Sequence, residues 1–403
     1  MPSDDEGREG PTRRDYVKYG GAVLGGGLLA GCSQRDSAAT QTETAPSTET
    51  ATAIETTTPE DAPYTVTMAP AGDVAFDAVP ETWMAYYSNY GDMGIALGKL
   101  DSLQALVYRD GWPLQFYDTL PGVDVSFDGV RQLSSGTFDK EAFYELDADV
   151  HLLDPHFVGL KHDGFSATDF DEIASNVGPV VGNYIRRHGE DWHDYEYYSL
   201  YEAFEKVADV FQERERYEGL RTVHDALIAD LQASLPPEGE RPEIGLISSF
   251  SDFSEGSLDA YPIGAGNGKK QYQDLGIVDG FGPHIDGSYA SWDYEQLLEA
   301  DPDILVFPYG FASLSHSEFE TRMDRLRDHP LGQRLTAVQT DRLYRGGTSY
   351  QGPIINLIQT EIVAKQFYPE QFGAWDGIET LHDEDAQLFD HQRVADIIRG
   401  AES

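Results

Sequence analysis

The chain has 403 residues, of which 40% are hydrophobic, enough material for two cores of ordinary domain size. Asp and Glu number 71 against 28 Lys and Arg, a net charge of −43 with no basic stripe, which points away from nucleic acid as a partner. Only eight of the basic residues are Lys, and self-repulsion on this scale is tolerable where salt cuts the Debye length to roughly 3 Å at 1 M, so the composition reads as salt-adapted.

At the start, Thr12 to Lys18 (TRRDYVK) resembles a twin-arginine export signal and is followed by the weakly apolar run GGAVLGGGLLAGC. That run is shorter than the roughly 20 apolar residues of a membrane span, and its glycines weaken a helix. Leu29-Ala30-Gly31-Cys32 resembles a lipobox, in which the chain is cut before the Cys and the new terminal Cys32 is lipidated. Cys32 is the only cysteine, so disulfides contribute nothing. Residues 1–32 are thus expected to be a signal, and residues 33–63, rich in Thr, Ser, Ala, Glu and Pro, a solvated tether with a reach of about 30 Å.

Residues 64–212 read as a first α/β lobe, with strands predicted near Thr82 to Tyr87, Ala105 to Tyr108, Val150 to Leu153 and Pro179 to Gly182. From 213 to 235, Tyr217, Leu220, Val223, Leu227 and Leu231 recur at helical spacing among charges, predicting one long linking helix that ends at Pro236-Pro237. Residues 236–372 read as a second lobe, with strands predicted near Glu243 to Ser248, Asp303 to Phe307 and Arg342 to Arg345. A final helix, about Pro353 to Phe367, is expected to pack on the second lobe, and 373–403 is expected to be an acidic tail.

The two lobes share a repeated unit. EAFYELDADVHLL (141–153) and EQLLEADPDILVF (295–307) lie 154 residues apart and align Glu141 with Glu295, Glu145 with Glu299, Asp147 with Asp301 and Asp149 with Asp303. Both read as a helix turning sharply into a buried strand, with Pro302 stopping the second helix and Ala148 in the matching place of the first. The fold class expected is α/β: two lobes of βα units joined by a long α-helix, with a ligand cleft between them.

The succession YTVTMAPAGDVAFDAVPETWMAYYSNYGDMGIALG, the two repeated units, the linking helix and DRLYRGGTSYQGPIINL resembles, over roughly residues 64 to 372, the solute-binding proteins of ABC importers in the ferric-siderophore and cobalamin group. With the signal and composition, the chain resembles a haloarchaeal-like lipoprotein of that class. The resemblance implies a receptor on the extracytoplasmic face of the membrane, held there by a lipid anchor, that delivers its guest to an ABC permease. It also implies that a surface carboxylate on each lobe, seven residues before the turn position, engages a permease arginine; Glu141 and Glu295 stand seven before Ala148 and Pro302.

In α/β lobes ligands bind beyond the carboxyl ends of strands. Those ends carry Tyr87, Tyr90, Arg109, Trp112 and Arg186 in the first lobe and Trp292, Tyr309, Arg345 and Tyr350 in the second, and these are the expected ligand-binding residues. Tyr108, Tyr184, Arg187, Phe250 and Tyr289 stand at the same ends. In a chain so poor in bases, arginines there suit an anionic guest, and aromatic faces suit its organic frame. A ferric siderophore or similar iron chelate meets both demands, with the iron held inside the guest and no cofactor or protein metal ligand required. Cobalamin or haem is the alternative guest. A secreted enzyme is the rival class: His151, His156 and His162 match no common zinc spacing, and neither a Gly-x-Ser-x-Gly elbow nor a phosphate loop is present, so the chain is expected not to be an enzyme.

Overall fold

Short apolar strands followed by helices leave each strand covered on both faces, which is the condition for a parallel sheet. The protein, a computed structural model, is described over residues 62–401 apart from 110, 134 and 135. The export signal, Cys32 and nearly all of the tether lie outside these residues. Among the described residues the chain opens on an antiparallel hairpin, β1 (Tyr64–Met68) and β2 (Gly72–Phe76), that was not expected. Five parallel strands follow: β3 (Trp83–Ala85), β4 (Leu103–Leu106), β5 (Arg131–Gln132), β6 (Val150–Leu152) and β7 (Val180–Val181). Their spatial order is β5-β4-β3-β6-β7, so the chain winds outward from β3, returns, and winds out the other way. The reversal lies between β3 and β6, where a doubly wound sheet opens a crevice.

The second lobe carries β8 (Glu243–Ile247), β9 (Leu258–Tyr261), β10 (Val278–Asp279), β11 (Ala290–Trp292), β12 (Ile304–Phe307) and β13 (Leu343–Arg345), in the order β11-β9-β8-β12-β13 with β10 beside β8. β8, β12 and β13 are parallel, whereas β9 runs antiparallel to β8 and β11 to β9. The mixed edge made by β9 and β11 is absent from the strands expected from the sequence.

The repeated units are the helices Lys140–Leu146 and Tyr294–Ala300 with the strands that follow. Asp139 and Asp293 cap their first turns. Both helices stop at an Asp in the left-handed conformation, Asp147 at φ 48° and Asp301 at φ 36°. The stop therefore does not depend on Pro302, and the copy with Ala148 turns in the same way. The next repeated acid pins the turn to the neighbouring strand: Asp149 accepts the amides of Glu81 at 3.0 Å and Thr82 at 2.8 Å, and Asp303 accepts that of Glu243 at 2.9 Å.

The linking helix spans Arg214–Ser234 and buries Tyr217, Leu220, Val223, Leu227 and Leu231, the stripe read from the sequence, together with His224. Helix Pro353–Phe367 is buried along its whole length. It packs on both lobes, against Ser88–Ala96 of the first as well as Lys270–Asp274 of the second, which corrects the expectation that it belongs to the second lobe alone. Its first turn is capped from across the molecule, since the Asp92 carboxylate accepts the amides of Ile354 at 3.0 Å and Ile355 at 3.1 Å. The segment expected as an acidic tail contains helix His391–Arg399, whose Val394, Ala395, Ile397 and Ile398 are buried against the linking helix and the first lobe. One hydrophobic cluster consequently runs through both lobes and the linking helix, flanked by a separate cluster on the outer side of each sheet.

Candidate functional site

The carboxyl ends of the strands bring together a cleft of two chambers. The larger, about 470 Å³, lies among Arg186, Lys269, Tyr261, Tyr289 and Tyr309. The smaller, about 350 Å³, is walled by Tyr87, Tyr108, Phe157, Tyr184, Trp192 and Tyr350. Arg186, Arg187 and Glu190 line both, so the segment after β7 forms the partition. Both volumes fall within the range of small-molecule sites.

In the smaller chamber the Tyr87 and Tyr350 rings stack at 4.1 Å, Tyr108 lies 5.1 Å from Tyr87, and Phe157 stacks on Tyr184 at 4.4 Å. Tyr87 is supplied by the turn after β3 and Tyr350 by the loop after β13, so this aromatic wall crosses the lobes. Burial, reinforced by Tyr350, raises the Tyr87 hydroxyl far above its ordinary range and keeps it neutral. In the larger chamber Tyr309 follows β12 in the left-handed conformation at φ 63°. A tyrosine held there stores strain, of the kind that clusters at ligand sites. Arg187 pairs with Glu190.

The floor of the cleft is a backbone seam. Asn267 and Gly268 donate to the carbonyls of Ile185 at 3.0 Å and Arg186 at 2.8 Å, and His188 donates to that of Ala265 at 3.0 Å. The Asn267 side chain adds bonds to the Ile185 and Tyr198 carbonyls, both at 3.0 Å. Ser88 Oγ donates to the Tyr350 carbonyl at 2.7 Å.

Of the residues expected to bind ligand, Tyr87, Arg186, Tyr309 and Tyr350 line the chambers. The others lie elsewhere. Tyr90 is buried, its hydroxyl donating to the Asn183 carbonyl and accepting the Asn183 amide. Trp112 is buried against Phe127 and bonds the Tyr117 hydroxyl at 3.0 Å, and Arg109 lies over the same Phe127 ring. Trp292 is a core residue packed on Phe281. Arg345 faces away from the cleft into its own lobe, donating to the carbonyls of Gly310 at 3.1 Å and Leu314 at 2.5 Å over the Phe311 ring. Lys269, Tyr261, Phe157 and Trp192 were missed. A signal for Lys269 was present, since GAGNGKK at 264–270 holds two of the eight lysines in a glycine-rich turn.

Glu141 and Glu295 are both exposed in the first turn of their helices and make no ion pair among the described residues. Each helix runs antiparallel to the strand after it, so its first turn lies at the strands' carboxyl ends, the same rim as the cleft. His151 is buried in β6 and His162 bonds the Tyr86 hydroxyl at 2.7 Å. Among the described residues no group of three or more His, Cys, Asp or Glu is placed to hold a metal ion, and no helix is long and apolar enough to cross a membrane.

A two-lobed α/β body with a cleft at facing strand ends matches solved structures across nearly their whole length. A periplasmic binding protein from Veillonella parvula superposes with a TM-score of 0.56 at 16% identity, covering 76% of this chain and 97% of that one. The chain has the periplasmic binding-protein fold. An ABC-type Fe3+-hydroxamate transport protein from Saccharomonospora viridis gives 0.53 at 18% identity, covering 77% and 99%. The periplasmic heme-binding protein HutB of Vibrio cholerae gives 0.52 at 13% identity, covering 72% and 99%. No family model and no curated protein matches the sequence.

Proposed function

We propose that the protein is the extracytoplasmic receptor of an ABC importer, anchored by lipid at Cys32, that captures a ferric siderophore or similar iron chelate and presents it to the permease. The observation that carries this reading is the gathering of Arg186, Arg187 and Lys269 round one aromatic cleft in a chain of net charge −43. Guanidinium groups pair with the oxygens of an anionic chelate, while the tyrosine faces cover its frame. Similarity of fold to proteins described as binding Fe3+-hydroxamate and heme supports the same class of guest. Glu141 and Glu295, free and on the cleft rim of each lobe, are the proposed permease contacts. Charges so placed orient an encounter and speed it more than they add affinity.

Trp192 borders the smaller chamber, so fluorescence titration tests the reading directly. Ferric catecholates, ferric hydroxamates, ferric citrate, haem and cobalamin are the probes, with Trp192→Phe to assign the signal. Saturable quenching by an iron chelate, lost in Trp192→Phe, is expected. Quenching by haem or cobalamin alone moves the guest to a tetrapyrrole, and quenching by none removes the receptor reading.

A further inference from the structure

Lys269 stands at the head of helix Lys270–Asp274 on the wall of the larger chamber. Its loop lies against the first lobe because Gly266, at φ 111°, has no side chain: a Cβ there would sit 2.6 Å from the Arg186 carbonyl. This close approach brings three cations from two lobes round one cavity. Arg187 is paired with Glu190 and Lys270 with Asp274, whereas Lys269 has no ion-pair partner among the described residues; its ammonium lies 5.4 Å from the Tyr261 ring centre. Arg186 and Arg187 face it from the first lobe, Asp279 from β10 and Tyr261 from β9. His188, Glu190 and Tyr309 share its chamber.

We propose that Lys269 is a specificity-determining residue of the cleft, selecting a polyanionic over a neutral guest and taking up a proton when that guest is captured. This deepens the receptor reading and rests on it. Lys269 is half-buried in the chamber wall; desolvation there first, then repulsion by Arg186, pushes its ammonium down to about 7, with Asp279 opposing and Arg187 adding to the fall. An anion seated among the three cations favours the charged lysine and raises that value. Above pH 7 the free protein therefore holds Lys269 neutral, and capture binds a proton. Affinity then falls with rising pH, by as much as about tenfold per pH unit, until the bound-state value is passed. Burial lowers His188, which titrates beneath that range, and burial raises Tyr261 and Tyr309, which stay neutral through it.

The test compares the triply negative ferric complex of a tricatecholate with a neutral ferric trihydroxamate, from pH 6.5 to 9, on the purified protein and on Lys269→Arg and Lys269→Gln. Calorimetry in buffers of different ionisation enthalpy counts the protons. For the unaltered protein, tricatecholate affinity is expected to fall about tenfold or more across the range, with net proton uptake at pH 8. Lys269→Arg is expected to bind with no such slope, and Lys269→Gln to bind weakly at every pH without it. A flat profile for the unaltered protein, a slope retained in Lys269→Arg, or equal affinity for the neutral complex overturns the proposal while leaving a receptor. Binding of no ferric chelate overturns the receptor reading itself.

Discussion

Arg186 and Tyr350 come from different lobes, yet the guanidinium carbon lies 4.4 Å from the Tyr350 ring centre and Nη1 donates to the Tyr350 hydroxyl at 2.7 Å. The pair sits where the two chambers meet, with Tyr87 also stacked on the Tyr350 ring. One cation is thereby held in place by an aromatic wall rather than by a carboxylate, which leaves its remaining donors available to a guest.

Arg186→Ala is expected to weaken binding of an anionic iron chelate by about 1.5 to 3 kcal/mol, the range for a hydrogen bond to a charged group. Arg186→Lys keeps the charge but loses the planar stack, and should fall between. Fluorescence titration of both variants decides the matter, and unchanged affinity in Arg186→Ala would take this residue out of the site.

Arg345→Ala should behave in the opposite way. Its guanidinium is spent on the carbonyls of Gly310 and Leu314 and on the Phe311 ring, so stability is expected to drop by about 1 to 3 kcal/mol with affinity unchanged. Urea unfolding and ligand titration on the same preparation separate the two effects.

The contrast between Arg186 and Arg345 shows how far the sequence reaches. Strand ends were legible because apolar runs stop at them, and every strand expected in the two lobes appears within a residue or two of its place. Periodicity over 21 residues made the linking helix plain, and duplication exposed the paired turns. What one-dimensional spacing does not carry is which way a strand-end side chain turns. Arg345 and Trp292 point into their own lobe and Arg186 into the cleft, because the Gly310 and Leu314 carbonyls hold the first, Phe281 packs on the second and the Tyr350 hydroxyl holds the third. The seam at Asn267 and Gly268 hid Lys269, because its approach to Arg186 joins segments more than 80 residues apart.

Reversing both Glu141 and Glu295 to Lys is expected to abolish transport-coupled uptake while solution affinity for the guest stays within about twofold, since both carboxylates are exposed and outside the chambers. Cell uptake of labelled chelate and titration of the purified variant give the two readings. A large loss of affinity would place these residues in ligand binding instead.

A buried pair fastens the chain's end. His391 Nε2 lies 2.7 Å from Glu361 Oε2, both side chains fully buried, and His391 Nδ1 faces the Thr119 carbonyl at 3.1 Å. Glu361→Ala leaves the buried His391 Nε2 and the Leu388 amide without their acceptor, so a loss of about 3 to 5 kcal/mol is expected, more than for any single exposed ion pair. Chemical denaturation in molar salt measures it, and a loss under about 1 kcal/mol would show the segment to be dispensable.

Asp92 joins the lobes through a titratable group. Its carboxylate is fully buried, accepts the amides of Ile354 and Ile355, and is bonded by the Tyr117 hydroxyl. Burial raises it from 3.8 to about 7, and those three bonds oppose the rise without cancelling it. Between those two values the folded protein holds a proton that the unfolded chain has released. The group's contribution to stability is therefore complete below pH 3.8 and is lost as pH rises through 7. Asp92→Asn keeps an acceptor for the helix amides and removes the titration. Relative to the unaltered protein, its stability should climb by a few kcal/mol, on the order of the shift, between pH 4.5 and 7.5 and then level off. Urea midpoints for both proteins at fixed molar salt test this, and parallel pH profiles would mean that the Asp92 carboxylate stays charged throughout.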